Sequence, residues 1–392
     1  MRIAFVYRNL NRSGSLERDS IQLVEGLAAR GVEMHCYCDP ALSQEIPDVT
    51  LHPVRPATRS RSRLGYPLLR LSFAARATKA IRADRARYDL VHVLGVAAWE
   101  HDVVHVPAVM AAEQKRWPEE GGASFRAASL RAALAPVLRP EVAAIRTIER
   151  LQFRPGRYAR LTAVTERVRA DLARVHGVDP DSVDVVPPSV DVARFATARD
   201  GALRDQLGIA ADSQVILFIG HAFERKGLED AIAVLAGTQP SAHLVVVGDG
   251  RRDEFERAAE ALGLRERVHF VGGTVEPETY YAAADVLLFP TRSDPWGLPV
   301  IEAMAAGLPV VTTSAAGSAK VAEEAGAAFV APPRAREALG RALVGLLDEP
   351  ELRHRMGERG RAEAARFSLD ATVDATLQTY ERALDAKARR VR

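Results

Sequence analysis

The sequence predicts an α/β protein with two doubly wound domains, each built around a mostly parallel sheet. Short apolar segments alternate with longer helical patterns along the chain. Most of the apolar segments are continuous rather than alternating, which is typical of strands buried on both faces of a parallel sheet. The pattern pauses once, at residues 187–195, and starts again at Val215. A chain of 392 residues is long enough for two such domains.

The apolar segments define the predicted strands, and the amphipathic segments between them define the predicted helices. Strands are predicted at 3–7, 34–37, 90–93, 103–106, 161–164, 183–186, 215–219, 243–247, 268–270, 286–289 and 310–312. The clearest helices are predicted at 15–30, 166–176, 227–236, 252–262 and 337–347. A helix between two strands forms a crossover connection, so this order predicts parallel pairing.

The pause in the pattern sets the predicted domain boundaries. We predict a first Rossmann-like domain at residues 1–190, a linker at 191–212 and a second Rossmann-like domain at 213–367. The last segment, 368–392, is predicted to be a helix that packs back on the first domain.

Composition limits the classes of function. The chain is 47% hydrophobic and 27% charged, as in ordinary globular proteins, and its net charge of +2 gives no sign of a nucleic-acid partner. The two cysteines, Cys36 and Cys38, are too few for a disulfide framework or a four-cysteine zinc site. The first residues resemble a strand rather than a signal peptide, and no apolar run is long enough to span a bilayer. We therefore expect a cytoplasmic protein.

One segment of the predicted first domain is strongly basic. Residues 55–87 contain nine arginines and Lys79 but only one acid, Asp84, with apolar residues interleaved. Such a segment can contact an anionic membrane, which would place the protein peripherally at the inner face of the cell membrane. The alternative interpretation is an arginine-rich face that is solvated.

A loop and helix in the second domain carry the strongest functional signal. Asp294 lies in the loop, and Glu302 follows eight positions later, inside a short helix that begins near Trp296, Gly297 and Leu298. The N–H groups at the start of that helix favour an anion such as phosphate. Two acids that can bind hydroxyl groups, with phosphate-binding N–H groups between them, suit a sugar nucleotide.

A second signal follows the first strand of the second domain. Arg225 and Lys226 lie on the loop that starts at Gly220 and opens a helix. Arginine can bind a diphosphate through two N–H groups, and lysine adds a compact charge. The loop follows the carboxyl end of a strand, where open α/β sheets bind ligands. A Gly-Asp-Gly turn at 248–250 lacks the third glycine of a dinucleotide-binding loop and suggests an ordinary turn.

The first domain offers weaker candidates. Gly14 lies in the loop after the first strand, where a glycine lets the backbone approach a ligand, although a helix start capped by Ser13 or Ser15 also fits. His101 and His105 lie before and inside a short strand and could orient a donor sugar. A core or surface histidine is the alternative for either residue.

In order and spacing, these motifs resemble those of the retaining glycosyltransferases of family 4, which have the GT-B fold of two Rossmann-like domains facing across a cleft. Asp294 to Glu302 resembles the two-glutamate motif of that family, and Gly220 to Gly227 resembles its Gly-Arg…Lys-Gly loop. Further similar segments are 14–19, 165–167 and 187–195. The residues at 223–227 are closest in style to lipopolysaccharide core glucosyltransferases.

The resemblance implies a metal-independent, retaining hexosyltransferase without a bound cofactor. The sugar would come from a nucleoside diphosphate, with UDP preferred and GDP as the other option, and would go to a hydroxyl group of a glycan, lipid-linked or small-molecule acceptor. Glu302 would bind the ribose, and Asp294 would hold hydroxyl groups of the sugar. Arg225 and Lys226 would neutralise the leaving diphosphate. Gly14, Gly220 and the N–H groups near Trp296, Gly297 and Leu298 would complete the donor site.

The chain departs from the family pattern in a few places. Asp294 stands where the family has Glu, and His221 replaces the usual Arg. Pro107 lies where many members have a histidine, so the resemblance assigns that role to either His105 or His101. Two other functions stay open: a nucleotide-sugar epimerase of the same architecture, and a sugar-nucleotide-binding protein without transfer activity.

Overall fold

The computed structural model describes residues 1–12, 14–60, 62, 65–116, 140–198 and 203–391. The chain forms two compact units, of which unit 1 comprises Met1–Pro188 and Leu369–Arg392 and unit 2 comprises Ser189–Ser368. The chain leaves unit 1 once and returns to it, so unit 2 is an insertion in the sequence of unit 1.

Each unit contains one parallel sheet. In the described residues of unit 1 the strands are β1 (Arg2–Val6), β2 (Glu33–Cys38), β3 (Val49–Pro53), β4 (Leu90–Leu94), β5 (Val103–Val106), β6 (Arg160–Ala163) and β7 (Val183–Val185). In those of unit 2 they are β8 (Gln214–Ile219), β9 (Ala242–Val247), β10 (Val268–Gly272), β11 (Val286–Phe289), β12 (Val310–Thr313) and β13 (Ala328–Ala331). All strand pairs in both sheets are parallel, as the sequence predicts.

Helices connect the strands. Among the described residues of unit 1 that precede unit 2, the helices are α1 (Ser15–Ala29), α2 (Gly65–Ala83), α3 (Met110–Arg116), α4 (Pro140–Gln152) and α5 (Glu166–His176). Those of unit 2 are α6 (Val192–Ala196), α7 (Leu203–Gln206), α8 (Phe223–Lys226), α9 (Leu228–Leu235), α10 (Arg252–Ala261), α11 (Glu278–Ala283), α12 (Leu298–Ala306), α13 (Ala319–Glu324), α14 (Arg336–Asp348) and α15 (Pro350–Ala364). The last helix, α16 (Leu369–Val391), belongs to unit 1.

The order of the strands reverses direction once in each sheet. The orders are β3-β2-β1-β4-β5-β6-β7 in unit 1 and β10-β9-β8-β11-β12-β13 in unit 2. The switch points therefore lie between β1 and β4 and between β8 and β11. Ligands of doubly wound sheets bind outside the carboxyl ends of the strands at such points, so the loops after β8 and β11 are the first place to look for a site.

Helices cover both faces of the unit 1 sheet. On one face, α1 and α16 bury Val24, Leu27 and Tyr380 against β1 and β2. On the other face, α2 buries Phe73 and Ile81 against β1 and β4. Continuous apolar strands are a consequence of this double coverage.

The two chain segments that cross between the units, near residues 187–190 and 367–372, are hydrogen-bonded to each other once in each unit. In unit 2, the Val190 N–H donates to the Phe367 carbonyl at 2.8 Å. In unit 1, the Thr372 hydroxyl donates to the Pro187 carbonyl at 3.2 Å. The segment predicted as a linker, 191–212, contributes α6 and α7 to unit 2 in its described residues, and residues 199–202 lie outside them.

The basic segment 55–87 lies largely on α2 and uses that helix's apolar face for the core. Several of its cations bind groups of unit 1: Arg82 pairs with Glu100 at 2.8 Å, and Arg85 pairs with Asp102 at 2.7 Å. Arg61 and Arg63, which the membrane hypothesis includes, lie outside the described residues. Among the helices that the structure describes, none combines the length and apolarity that a transmembrane span requires.

Candidate functional site

The candidate site of unit 2 is formed by loops that follow β8, β9, β11 and β12. The first and third of these loops are in direct contact, because the Arg292 N–H donates to the Arg225 carbonyl at 2.9 Å. The third and fourth are also joined: the Asp294 N–H donates to the Ala315 carbonyl at 3.1 Å, and the Gly317 N–H donates to the Asp294 carbonyl at 3.0 Å. These backbone bonds fix the loop that carries Asp294 at the switch point of the sheet.

The loop after β8 has a tightly wound backbone. Gly220 has φ of 148°, and Gly227 has φ of 79°. A Cβ at Gly227 would also collide with the carbonyl oxygen of Pro290 in the loop after β11. Ala222 adopts a left-handed conformation with φ of 58°, which is uncommon for a residue with a side chain. This backbone turns the chain so that α8 begins at once and presents Arg225 and Lys226 to the site.

The Gly-Asp-Gly turn after β9 supports the loop after β8. A Cβ at Gly248 would collide with the carbonyl of Gly220, and a Cβ at Gly250 would collide with the ring of Phe223. His221 contributes to the same contact, because its Nδ1 accepts a hydrogen bond from the Asp249 N–H at 3.1 Å. The glycines of this turn thus allow two loops to pack together, which is a supporting role.

Lys226 and Asp294 form a buried ion pair, with Lys226 Nζ in contact with Asp294 Oδ2. The side chains are 9% and 13% exposed. The ammonium group also lies 4.9 Å from the centroid of the Phe289 ring, within the range of a cation–π interaction. Asp294 Oδ1 accepts a second hydrogen bond, from the Trp296 N–H at 3.3 Å. The pair therefore joins the two segments that the sequence marks as functional.

Burial and charge act in opposite directions on the Asp294 carboxyl. Burial raises its pKa, but the positive charges of Lys226 and Arg225 and the hydrogen bonds to the carboxylate outweigh that effect, so the pKa is lowered. Asp294 is consequently ionised at neutral pH. Burial lowers the pKa of Lys226, and the charge of Asp294 offsets part of this effect.

Arg225 supports the loop after β11 and adds charge beside the ion pair. Its Nη1 donates to the Ser293 carbonyl at 2.6 Å. One guanidinium N–H group is thereby fixed, and the group has further donors with which to bind an anion. The cations Arg225 and Lys226 face the carboxylates of Asp294 and Glu302, so the formal charges balance. The feature that favours a diphosphate is therefore the guanidinium and ammonium donors placed side by side.

Helix α12 carries Glu302 in its second turn, at the candidate site. The helix follows Gly297, which has φ of 87°, and Leu298 and Pro299 form its first turn. Glu302 Oε2 accepts a hydrogen bond from the Tyr281 hydroxyl at 2.7 Å. The Ser318 hydroxyl donates to the Gly297 carbonyl at 3.1 Å, which ties the start of α12 to the loop after β12.

Trp296 is buried next to the segments that connect the two units. Its ring lies 5.4 Å from the ring of Phe367, at an angle of 56°. The Trp296 carbonyl accepts a hydrogen bond from the Ser318 N–H at 2.6 Å. Trp296 therefore acts as an anchor of the loop, and its N–H group is bonded to the Asp294 carboxylate.

A partly buried ion-pair network that the sequence analysis missed also holds the loop after β11. Arg292 Nη2 donates to Glu229 at 3.0 Å, and Arg292 Nε donates to Asp230 at 3.3 Å. Arg336 binds the same two carboxylates at 2.9 and 2.6 Å. The only sequence signal for it is that Arg292 lies beside Asp294 and that two acids follow Gly227. The role of Tyr281 had no such signal.

In unit 1, Gly14 lies at the amino end of α1, as the sequence suggests. The residue is extended, and a Cβ would collide with the Glu17 carboxylate. No side-chain hydrogen bond caps this helix at Gly14. The Ser13 of the capping alternative lies outside the described residues.

The two candidate histidines of unit 1 are core residues. His105 is 5% exposed, its Nδ1 bonds to the Thr162 hydroxyl at 2.8 Å, and its ring lies 6.5 Å from that of His92. His101 is 8% exposed and precedes the amino end of β5, away from the carboxyl ends of the strands. Burial lowers the pKa of each of the two to about 4. The structure thus places both in the interior, which agrees with the core alternative rather than with side chains that face a donor sugar.

Comparison with known proteins agrees with this architecture. A family model described as Glycosyltransferase Family 4 matches residues 16–194, and one described as Glycosyl transferases group 1 matches residues 200–363. The D-inositol 3-phosphate glycosyltransferase of Kineococcus radiotolerans is 30% identical, over 96% of this chain and 92% of that protein. The lipopolysaccharide glucosyltransferase WaaG of Escherichia coli is 30% identical, over 54% of this chain and 59% of WaaG.

Solved structures show the same fold. A crystal structure of WaaG, a glycosyltransferase involved in lipopolysaccharide biosynthesis, superposes with a TM-score of 0.77 and 24% identity, covering 98% of both chains. Anabaena Alr3699/HepE, solved in complex with UDP and glucose, superposes with a TM-score of 0.73 and 18% identity, covering 97% of this chain and 99% of that one. The two parallel α/β units are those of GT-B glycosyltransferases, and the chain belongs to glycosyltransferase family 4.

Proposed function

We propose that this glycosyltransferase moves a hexose from a nucleoside diphosphate, UDP in preference to GDP, to an acceptor hydroxyl group with retention of configuration. The observation that carries the proposal is the contact between Lys226 and Asp294, beside Arg225 and the amino end of α12. Cations and backbone N–H groups suit the diphosphate, and the carboxylates of Asp294 and Glu302 suit hydroxyl groups of the sugar and ribose.

Charge stabilisation would supply much of the catalysis. When the bond between the anomeric carbon and the β-phosphate oxygen breaks, negative charge develops on the departing diphosphate. Lys226, Arg225 and the N–H groups before α12 form a preorganised positive environment for that charge. Such a site would need no tightly bound metal, which we propose as a property of this enzyme.

One structural neighbour supports the choice of UDP, and one relative supports the choice of a hexose. HepE was solved with UDP and with UDP-glucose, and WaaG is named as a glucosyltransferase. In our proposal, the Tyr281–Glu302 hydrogen bond orients the carboxylate toward the ribose. The acceptor would be a glycan, a lipid-linked molecule or a small molecule bound by unit 1.

We also propose a cytoplasmic location, with peripheral contact to an anionic membrane through segment 55–87. Leu68 on α2 is 54% exposed and could enter the membrane surface, whereas Phe73 and Ile81 are committed to the core. Co-sedimentation with anionic liposomes at rising salt tests this contact. Salt-sensitive binding is expected, and its absence would leave segment 55–87 as a solvated face.

The donor proposal is tested by binding and then by turnover. Thermal unfolding is first followed with UDP, GDP and ADP, because a ligand that binds only the folded protein raises its unfolding temperature. The nucleotide that binds is then supplied as sugar nucleotides, with EDTA present. We expect slow release of UDP from a UDP-hexose without acceptor. Interconversion of the sugar nucleotide would instead indicate an epimerase, and no stabilisation by any nucleotide would refute the proposal.

A further inference from the structure

Unit 1 contains two arginines near the carboxyl ends of its central strands. Arg8 lies two residues after the end of β1, and its carbonyl accepts a hydrogen bond from the Asp39 N–H, just after β2, at 3.0 Å. Arg70 lies in the second turn of α2. The loop of Arg8 is one of the two that flank the switch point of this sheet. The neighbourhood is therefore where a ligand of unit 1 would be expected.

The carboxylates near Arg8 and Arg70 bind other groups. Glu17 Oε1 accepts hydrogen bonds from the Tyr7 hydroxyl at 3.2 Å and from Asn9 Nδ2 at 3.4 Å. Asp39 Oδ1 pairs with Arg59 at 3.1 Å and accepts from the Ala41 N–H at 3.1 Å. Neither acid forms an ion pair with Arg8 or Arg70.

The two arginines themselves have no anionic partner in the part of the chain that the structure describes. Arg70 donates twice to the neutral Tyr66 hydroxyl, from Nε at 3.1 Å and from Nη2 at 2.7 Å, and lies 5.2 Å from the centroid of the Tyr66 ring. The Arg8 guanidinium forms no hydrogen bond or ion pair with any described residue. Since Arg8 is only partly exposed, its charge is partly removed from water, and no described carboxylate is in hydrogen-bond contact with it.

The electrostatic environment of Arg8 agrees with this geometry. Burial lowers the pKa of Arg8, and the nearby positive charge of Arg70 lowers it further, although Tyr66, Asp39 and Tyr7 act in the opposite direction. Partial burial and a neighbouring positive charge both disfavour the charged guanidinium, and an anion bound beside it would offset both effects. Perturbed charges that the fold does not need often belong to binding sites.

We propose that Arg8 and Arg70 bind a phosphate group that the acceptor carries. A phosphate offers several oxygens, so two guanidinium groups can each donate to it through paired N–H groups. Tyr66 is a positioning residue in this site, because its hydroxyl fixes the Arg70 guanidinium. This proposal rests on the proposed function, in which unit 1 holds the acceptor, and it gives that acceptor a chemical class.

The phosphate could belong to a soluble phosphate monoester or to a lipid headgroup, and the test separates these sources. The full chain is first saturated with UDP, so that the donor site is occupied. Glucose 6-phosphate is then titrated by calorimetry, with glucose as the uncharged control. In a second arm, vesicles of phosphatidylcholine with and without phosphatidic acid are co-sedimented with the UDP-saturated protein.

The variants are Arg8→Met, Arg70→Met and Tyr66→Phe, with Arg154→Met as the matched control. Arg154 lies in unit 1 just after α4, outside segment 55–87, and is exposed. We expect Arg8→Met and Arg70→Met to weaken phosphate binding about 10- to 100-fold in at least one arm, as for loss of a charged hydrogen bond. Tyr66→Phe should have a smaller effect, and Arg154→Met none. The arm in which the loss occurs identifies the source of the phosphate.

Stability separates a binding role from a structural one. Arg8→Met should unfold at the same temperature as the parent chain or higher when no ligand is present, because a partly buried charge without an ion-pair partner among the described residues is removed. A large decrease in that temperature would indicate a structural residue and overturn the proposal. Equal phosphate binding in all variants would also overturn it, as would equal weakening by Arg154→Met.

UDP binding keeps the failure of this proposal distinct from failure of the donor proposal. Arg8→Met and Arg70→Met should bind UDP like the parent chain, whereas Glu302→Gln should not. If UDP fails to bind the parent chain, the donor proposal is refuted, and the phosphate arms can still be measured without UDP.

Discussion

Lys226 and Asp294, 68 positions apart in the sequence, meet in a buried ion pair in unit 2. A diphosphate bound here would compete with the Asp294 carboxylate for the Lys226 ammonium group. Donor binding would then loosen the pair and free the carboxylate for a sugar hydroxyl group. In this view, the shorter side chain of Asp294, compared with the glutamate of the family pattern, is matched to the position of Lys226.

We predict that Lys226→Ala lowers kcat by about 100- to 1000-fold, as for the loss of one preorganised charge-stabilising group. Turnover of a UDP-hexose is the measurement. Lys320→Ala removes an exposed lysine, 82% exposed in its side chain, and serves as the control. Since Lys226→Ala also leaves the Asp294 carboxylate without its buried partner, the unfolding temperature of that variant should fall. Near-normal kcat in a folded Lys226→Ala protein would exclude the phosphate role.

We predict that Glu302→Gln weakens UDP binding about 10- to 100-fold, because a carboxylate that accepts ribose hydroxyl groups is replaced by a neutral amide. Calorimetry with UDP measures this directly. Tyr281→Phe should weaken UDP binding less, since it only removes the hydrogen bond that orients Glu302. Glu324→Gln changes an exposed glutamate and is the control. Unchanged UDP affinity in Glu302→Gln would contradict the ribose assignment.

We predict that Gly227→Ala destabilises unit 2 by about 1–3 kcal/mol and impairs UDP binding. The reason is twofold, because Gly227 has φ of 79° and a Cβ would collide with the Pro290 carbonyl. Thermal unfolding with and without UDP gives both effects. At Gly237, a Cβ would come no closer than 3.6 Å to the Val234 carbonyl oxygen, so Gly237→Ala is the control. Equal behaviour of the two variants would show that the loop contact is dispensable.

We predict that unit 1 loses stability on acidification from pH 7 to 4.5. Burial lowers the pKa of His105 and His101 to about 4 and that of His92 to about 3, from 6.5. Since the unfolded chain binds these protons first, stability is complete above pH 6.5 and falls below it, by about 1 kcal/mol per histidine and pH unit. Urea unfolding at several pH values measures the slope.

His105→Gln should reduce that slope, because one buried titrating group is removed. His354→Gln changes a histidine whose side chain is 70% exposed and should leave the slope unchanged. A slope that is identical in the two variants would argue against the burial of His105.

The parts of the fold that could be predicted are those in which local pattern and burial agree. Strand β11, Val286–Phe289, is a continuous apolar run and was predicted with its bounds. Strand β3, Val49–Pro53, was not predicted, because it alternates, is partly exposed and ends in proline. Strand β13, Ala328–Ala331, was missed because it is short and rich in alanine. Pattern also does not specify the order of strands in a sheet.

The candidate site shows the same division. Arg225, Lys226, Asp294 and Glu302 could be identified because their chemistry is concentrated in two short segments. Tyr281 could not, since its hydroxyl reaches Glu302 only through the packing of α11 against α12. The histidines could not be assigned from the sequence, because their position in the chain says little about which face of the sheet their side chains occupy.

The position of unit 2 within the sequence of unit 1, between the two segments joined by the Val190–Phe367 and Thr372–Pro187 hydrogen bonds, also has a consequence for the synthesis of the protein. Unit 2 is complete once Ser368 has left the ribosome, whereas the sheet of unit 1 still lacks α16, which supplies Tyr380 to its core. The strands and helices of unit 1 that precede unit 2 in the sequence are therefore made before the helix that covers part of their apolar surface. We expect unit 2 to complete its core first, although its synthesis begins second.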